Sequence, residues 1–173
     1  GNDGGDGVKL IALCLAAAML PGGVRAQDIV YSDAQTQSCL DGLTEGAALS
    51  DCAGQSSTAC INANTSGYTT VGRRRCIEGE RAFWDGLLNE TYSALMKQTK
   101  KLDGDLADMG SSVAASAPAL RDMQRAWIIF RDTACEYELT TWGGGTGGGP
   151  AALECLMQLT ADQVERLAER LDR

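Results

Sequence analysis

Apolar side chains recur at helical intervals over most of the chain, and no run alternates as a half-buried strand would. From position 72 to position 106 there is no proline, and one apolar stripe is formed by Phe83, Trp84, Leu87, Leu88, Thr91, Leu95 and Leu102. This spacing predicts one long amphipathic helix. Gly79 and Gly86 lie within it, and each costs up to about 1 kcal/mol relative to alanine.

A second long helix is predicted to begin at Ser116, with Pro118 in its first turn. Apolar residues then recur with spacings of three and four, at Leu120, Met123, Trp127, Phe130 and Ala134. Such spacing is typical of a helix that packs lengthwise against another. We therefore expect this seam, with Trp127 and Phe130, to be buried against the first long helix.

Two short helices are predicted before the long pair. The tetrapeptide from Ser32 to Gln35 has the spacing of a capping box and precedes a helix over about residues 33 to 49. The hydroxyl residues at 56 to 58 can cap a second helix, which ends near Gly67.

The C-terminal part also has helical spacing throughout. Pro150 can start one helical turn, and a second capping box at 160 to 163 leads into Val164, Leu167 and Leu171. No β-branched run of strand length occurs anywhere. The pattern therefore predicts an all-α fold of the helical-bundle type.

One N-terminal segment differs from the rest. Lys9 precedes an apolar stretch over residues 10 to 20 that is too short to span a bilayer, and small residues follow it. This pattern predicts a signal peptide with an N-terminal extension over residues 1–26, and a periplasmic or secreted protein with a single domain over residues 27–173. A buried first helix over residues 8 to 20 is the alternative.

Export changes how the cysteines are interpreted. Without Cys14 in the signal segment, six remain: Cys39, Cys52, Cys60, Cys76, Cys135 and Cys155. An even number in an oxidising compartment predicts disulfides, and hence a small disulfide-stapled bundle. Short loops close most easily, which favours the pairs Cys39–Cys52, Cys60–Cys76 and Cys135–Cys155, although crossed pairings such as Cys52–Cys76 stay open. Without a C-x-x-C or a histidine, no metal site is expected.

Six glycines lie within residues 143 to 149, between the last two cysteines. The run lacks the GK[ST] ending of a phosphate loop and the βαβ context of a dinucleotide site. We predict a mobile loop that is tethered by a Cys135–Cys155 bond. Its tip, with Trp142 and Thr146, is a candidate for contact with a partner, and a plain spacer is the alternative.

Histidine content and charge limit the function classes. The chain has 173 residues and no histidine, which removes the Ser-His and Cys-His routes to nucleophilic catalysis. Its net charge of −8 disfavours nucleic acid and anionic lipid as partners and favours cationic ones. We expect no cofactor, no nucleic acid and, after signal cleavage, no membrane association.

Four ordered motifs resemble a known family. Residues 76 to 95 contain Cys76, Glu80, Trp84-Asp85, Leu88-Asn89, Tyr92 and Leu95, in the spacing of LprI-like domains (DUF1311), exported domains related to a lysozyme inhibitor. Residues 120 to 135 are similar to a second motif of that family, and the remaining matches are Gly144 to Thr146, Cys155 and Leu159-Thr160. The resemblance covers about residues 36 to 171. Gln163 departs from it, since an arginine usually stands there.

The resemblance implies an inhibitor of lysozyme-type cell-wall hydrolases and no enzymatic activity. An acidic protein suits such a cationic partner, and we expect inhibition by steric occlusion. One alternative is an envelope interaction or stress-response module with another protein partner. Another is an enzyme that acts on wall glycan through paired carboxylates, Glu80 with Asp85 or Asp132. The oligomeric state stays open.

The polar residues of the motifs have two interpretations. The structural one is a charge-assisted pair between the two long helices, formed by Glu80 or Asp85 with Arg131. The functional one is a partner-binding surface that comprises Asp85, Asn89, Arg131, Asp132, Trp142 and Thr146.

Overall fold

The computed structural model describes residues 1–2 and 28–171, so nearly all of the predicted signal segment lies outside the described residues. The described part contains α1 (Ala34–Asp41), a 3₁₀ helix (Leu49–Cys52), α2 (Gln55–Ala63), α3 (Thr70–Asp108), α4 (Ser116–Thr141) and α5 (Gly148–Leu171). No strand occurs among these residues. The predicted all-α class is therefore confirmed. Within the same residues, no helix combines the length and apolarity that crossing a bilayer requires.

The core lies between α3 and α5. Its buried side chains include Ile77, Trp84, Leu88 and Leu95 from α3 and Met157, Ala161, Val164 and Leu167 from α5. Both sets recur at helical intervals, so each helix buries one stripe against the other. Each large apolar side chain buried in this way stabilises the fold by about 1.5–3 kcal/mol.

The N-terminal region is more broken than its sequence pattern suggests. The helix predicted over residues 33 to 49 ends at Asp41, and Gly46 has a φ of 84° within the following turn, a left-handed conformation that glycine adopts readily. The hydroxyl residues expected to cap the next helix lie inside α2, whose N-cap is Gly54 with a φ of 94°. Both predictions of the helix bounds were wrong: α1 ends at Asp41 with Gly42 as its C-cap, and the left-handed Gly54 sets the start of α2.

The C-terminal helix α5 is continuous through the predicted second capping box. Thr160 is fully buried in the middle of the helix, and its hydroxyl donates a hydrogen bond to the Leu156 carbonyl at 2.7 Å. A threonine can satisfy its hydroxyl in this way within a helix. The expectation that Thr160 begins a new helix is therefore wrong.

α4 begins where predicted, but its inner face differs from the expected seam. The residues turned toward α3 and α5 are Ala117, Leu120, Gln124, Trp127, Arg131 and Cys135, whereas Met123 and Phe130 are 39% and 60% exposed. The inner seam thus includes Trp127 as predicted. At the other two positions the residue that faces inward is the next one in the chain, Gln124 instead of Met123 and Arg131 instead of Phe130. The reason is that Gln124 and Arg131 find polar partners between the helices.

Three disulfides join neighbouring elements. Cys39–Cys52 connects α1 to the 3₁₀ helix, Cys60–Cys76 connects α2 to α3, and Cys135–Cys155 connects α4 to α5. These are the pairings that loop length favours. Closing a loop of this size stabilises a fold by about 3 kcal/mol in the chain-entropy model.

A carboxylate of α3 caps the start of α4. Asp103 accepts hydrogen bonds from the backbone N–H groups of Ser116 and Ala117, both at 2.8 Å. These bonds hold the pKa of Asp103 below its ordinary value. Because Asp103 lies near the end of α3 and its partners begin α4, the two helices run antiparallel.

Candidate functional site

Glu80 lies inside the fold, where it holds three elements together. Its carboxylate accepts hydrogen bonds from the Thr36 hydroxyl at 2.7 Å and from the backbone N–H groups of Gly54 and Ser57 at 2.8 and 2.6 Å. The Trp84 indole N–H donates a fourth at 3.3 Å. Glu80 is fully buried, and the salt bridges that the structure describes do not include it. The predicted ion pair between Glu80 and Arg131 is therefore wrong. The alternative of an enzyme that acts on wall glycan needs Glu80 to be open to substrate, and the buried position of Glu80 does not allow this.

Tyr31 covers this cluster from the N-terminal segment. Its ring lies so close to Gly79 that a Cβ added there would be 2.6 Å from a ring atom. Its hydroxyl is buried without a hydrogen-bond partner among the described residues. Burial, with smaller contributions from the charges of Glu80 and Asp33, raises the pKa of Tyr31 above its ordinary value of 10.0. The Glu80 cluster is thus closed on every side that the structure describes.

Asp85 and Arg131 form the predicted interhelical pair. The Arg131 guanidinium lies 3.4 Å from an Asp85 oxygen and 3.4 Å from the Thr160 hydroxyl, so it links α3, α4 and α5. Its Cζ also lies 5.0 Å from the Trp127 ring centroid, a cation–π distance. The Arg131 side chain is only 15% exposed. Its charge is therefore largely committed to holding the helices together.

Three further charged residues extend this pair along the surface. Arg81 contacts Asp85 and lies 2.6 Å from Glu78, and the hydrogen bond between Arg81 and Glu78 is the main cause that lowers the pKa of Glu78. On the other side, Asp132 accepts from Arg131 at 2.9 Å while remaining 56% exposed. We call Glu78, Arg81, Asp85, Arg131 and Asp132 the charged row. It carries two positive and three negative charges.

A buried amide pair lies beyond the charged row. Gln163 of α5 donates to the Gln124 side chain of α4 at 2.9 Å, and Gln163 is 2% exposed. Gln163, the residue that departs from the family motif, therefore lies in the interior of the protein. Sequence reasoning missed this pair, although placing the α4 seam one residue later would have shown Gln124 facing inward with Arg131.

Trp142 and Thr146 lie at the far end of α4. Only residues 142 to 147 connect α4 to α5, because the last glycines of the run already belong to α5. The Trp142 ring packs on Gly147, where an added Cβ would be 2.3 Å from a ring atom, and Gly143 and Gly144 have φ of 55° and 83°. The glycines thus form a compact turn, which agrees with the interpretation as a spacer that lets the chain reverse direction. Contact of Trp142 and Thr146 with a partner stays a prediction.

A groove runs beside Trp142 along α5. One part, of about 280 Å³, includes Tyr68, Thr146 and Pro150, and the adjoining part, of about 540 Å³, reaches Ile61 and Gln158. The two parts share Arg73, Trp142, Ala151 and Glu154. Arg73 and Glu154 form an ion pair at 2.9 Å across it. The groove is therefore of mixed charge.

The six residues predicted to bind a partner divide into two groups. Asp85, Arg131 and Asp132 lie together in the charged row, and Asn89 is exposed one turn further along α3. Trp142 lies roughly 16 Å from Arg131 along the axis of α4, at 1.5 Å per residue, and Thr146 follows it in the turn to α5. The structure therefore does not bring all six into one site.

The outward side of α4 carries large apolar residues that sequence reasoning placed inside or left unassigned. Ile129, Phe130 and Tyr137 are 68%, 60% and 71% exposed. The nearby acids Asp132 and Glu136 are also exposed. We call these five residues the outer face of α4. The exposed position of Phe130 follows directly from the inward position of Arg131.

Negative charge is concentrated in two stretches of the chain. No lysine or arginine occurs between Arg25 and Arg73 or between Arg131 and Arg166. In the first stretch the acids that the structure describes are all exposed and make no salt bridge within the described residues: Asp28, Asp33, Asp41, Glu45 and Asp51. The protein thus offers uncompensated negative charge on more than one surface.

Comparison with known proteins gives a family. A family model described as "Lysozyme inhibitor LprI" matches residues 60–167, which begin inside α2 and take in α3, α4 and most of α5. An uncharacterized protein of Rhizobium meliloti (strain 1021) is 30% identical over 97 residues, which are 56% of this chain and 70% of the relative. No solved structure matches the chain. α1, the 3₁₀ helix and the Cys39–Cys52 disulfide lie outside the span of the family model.

Proposed function

Because the chain belongs to the lysozyme inhibitor LprI family, we propose that it is exported and inhibits a lysozyme-type cell-wall hydrolase by covering the substrate cleft of that enzyme. The family match over residues 60–167 is the observation that carries this proposal. Steric occlusion fits a protein whose helices are joined by disulfides into a rigid surface.

The charge distribution supports a cationic partner. The net charge is −8, and two long stretches of the chain contain no lysine or arginine. Complementary charge speeds the encounter of two proteins more than it adds to their final affinity, and salt screens this effect. We therefore expect inhibition to be stronger at low salt than at moderate salt.

The disulfides support both export and a rigid binding surface. Disulfides persist in oxidising compartments such as the periplasm and the extracellular space. Here they join α1 to the 3₁₀ helix, α2 to α3 and α4 to α5. A surface that is fixed before binding loses less conformational entropy on association.

Of the two groups of predicted residues, we propose that the one on α3 and α4 contributes to binding. Asp132 and Asn89 are exposed there, whereas Arg131 and Asp85 mainly position the two helices. Trp142 and Thr146 belong to the mixed-charge groove at the other end of α4 and have no part in this proposal.

The proposal is tested by measuring lysis of a cell-wall suspension by a cationic animal-type lysozyme, with and without the oxidised protein, at low and moderate salt. We expect dose-dependent inhibition that weakens as salt rises. The matched control is the same protein after reduction and alkylation, which keeps the composition but removes the disulfides. Undiminished lysis at every excess of the oxidised protein, at both salt concentrations, would contradict the proposal. A pull-down from periplasmic extract would then identify another envelope partner.

A further inference from the structure

We infer that the outer face of α4 is the surface that docks on the hydrolase, with Ile129, Phe130 and Tyr137 as the buried anchors of the complex. This inference rests on the proposed function, because it names the contact surface for that partner. The supporting observations are the exposure, spacing and charge of side chains that the packing of the single chain leaves in contact with solvent.

The exposed apolar residues of α4 form one continuous stripe. Met123, Ala126, Phe130, Thr133 and Tyr137 recur with spacings of three and four, and Ile129 lies beside them. Positions three and four apart are neighbours on a helix surface. Single exposed apolar side chains are ordinary, but a contiguous set of large ones marks an interaction surface.

This stripe gives α4 an exposed apolar face in addition to the inner face that carries Leu120, Trp127 and Cys135. An ordinary amphipathic helix turns its apolar residues inward and its polar residues toward water. In α4 the buried or half-buried positions include Gln124 and Arg131, while Phe130 and Tyr137 are 60% and 71% exposed. Packing within the chain therefore does not account for these aromatic side chains. Aromatic residues are also the most frequent anchors in protein interfaces.

Charge near the stripe indicates a cationic partner. Asp132 and Glu136 are exposed on the same outer face; Asp132 accepts from Arg131 at 2.9 Å, whereas Glu136 makes no salt bridge within the described residues. From residue 132 to residue 165 the chain has no lysine or arginine. An apolar centre with an acidic edge is complementary to a basic surface.

The same charges disfavour a second copy of this chain as the occupant. An antiparallel pair of α4 helices centred on Ile129 would bring Asp122 opposite Glu136 of the other copy, although Arg121 and Arg125 offset part of the charge of Asp122. Like charges placed opposite each other oppose association, and the two copies would also share the net charge of −8. A basic protein meets neither obstacle.

The chain provides a matched control for testing these anchors. Tyr137 on the outer face and Tyr68 beside the groove are the same residue type and are both 71% exposed. We would measure the dissociation constant for a cationic animal-type lysozyme with the wild type, with Phe130→Ala plus Tyr137→Ala, and with Tyr68→Ala. The double variant should bind on the order of tenfold or more weakly, whereas Tyr68→Ala should stay within about twofold of the wild type.

The acidic edge requires a second pair of variants. Asp132→Asn with Glu136→Gln should slow association several-fold at low salt and flatten its salt dependence, with little change in the dissociation rate. These isosteric changes at exposed positions preserve the apolar anchors. If the aromatic double variant loses its cooperative urea transition, this pair decides the question, and an unchanged association rate would overturn the inference.

The outcomes separate this inference from the proposed function. Absence of binding and inhibition by the wild type contradicts both. Inhibition by the wild type, together with full affinity in the outer-face variants, overturns only the inference about α4. A loss of affinity in Tyr68→Ala equal to that of the double variant would place the contact in the groove. Self-association of the wild type in sedimentation, abolished by the outer-face variants, would assign the surface to a second copy.

Discussion

Glu80 and Asp85 lie little more than one turn apart on α3, yet their surroundings differ completely. Glu80 is fully buried, and all four of its hydrogen-bond donors are uncharged. The Asp85 side chain is 31% exposed and contacts two arginines, Arg81 and Arg131. One motif therefore contains an enclosed carboxylate and an open one.

The comparison shows that the donors around an acid determine its role. Backbone N–H groups of Gly54 and Ser57 reach Glu80 from the start of α2, so this carboxylate orders the backbone of another segment. Asp85 contacts side chains that can rearrange and are partly screened by water. An acidic residue in a motif is thus weak grounds for catalysis until its neighbours are known.

The largest expected effect is the loss of Glu80. Glu80→Ala should lower the free energy of unfolding by about 3 kcal/mol or more, because it leaves several buried donors without an acceptor. Asp85→Ala should lower it by about 1 kcal/mol, because both its ion pairs are partly exposed. Urea unfolding followed by circular dichroism measures both values. If the two substitutions cost the same, the contrast drawn here between the enclosed and the open carboxylate is wrong.

Two of the glycines of α3, Gly79 and Gly86, allow the comparison to be tested through packing. Gly79→Ala should destabilise the protein by about 1–3 kcal/mol, because the new methyl group would overlap the Tyr31 ring above the Glu80 cluster. Gly86→Ala has open space around it and should stabilise the helix by about 0.5–1 kcal/mol. Thermal unfolding of both variants tests the pair. A stabilising Gly79→Ala would show that Tyr31 does not pack there in solution.

The smallest expected effect concerns the Tyr31 hydroxyl. Tyr31→Phe removes a buried hydroxyl that lacks a partner, and it should stabilise the protein at neutral pH by about 1 kcal/mol or less.

The same substitution should also change the response to alkaline pH. Since burial raises the pKa of Tyr31, the folded protein keeps this proton when an unfolded tyrosine, with a pKa of about 10, has released it. The stability contribution is complete below that pH and is lost as pH rises through the folded pKa. Wild type should lose more stability than Tyr31→Phe between about pH 9 and 11 in urea titrations, and parallel curves would contradict this assignment.

Much of the fold could be predicted because it depends on local pattern. The span of α3, the start of α4 at Ser116 and the pairing of neighbouring cysteines all follow from residues close in sequence. The rotation of α4 about its own axis could not be predicted in this way. Phe130 and Arg131 occupy adjacent positions, and only the partners of Arg131 on α3 and α5 decide which of the two side chains faces inward.

The candidate site was harder to predict from the sequence, because its contacts also join residues that are far apart in the chain. The role of Glu80 depends on donors from Thr36, Gly54 and Ser57, which come from other elements. The pairing of Gln124 with Gln163 also joins positions far apart in the chain. Asp85 with Arg131 was predicted because opposite charges on neighbouring helices were visible in the motifs.

The Cys135–Cys155 bond spans the whole turn between α4 and α5. A protease that cut the backbone at any of the glycines there would leave the two fragments covalently joined, and we expect α5 to keep its place against α3. Such a cleaved molecule would migrate as one species on a gel without reductant and as two with it. The exposed turn can therefore be broken without separating α4 from α5.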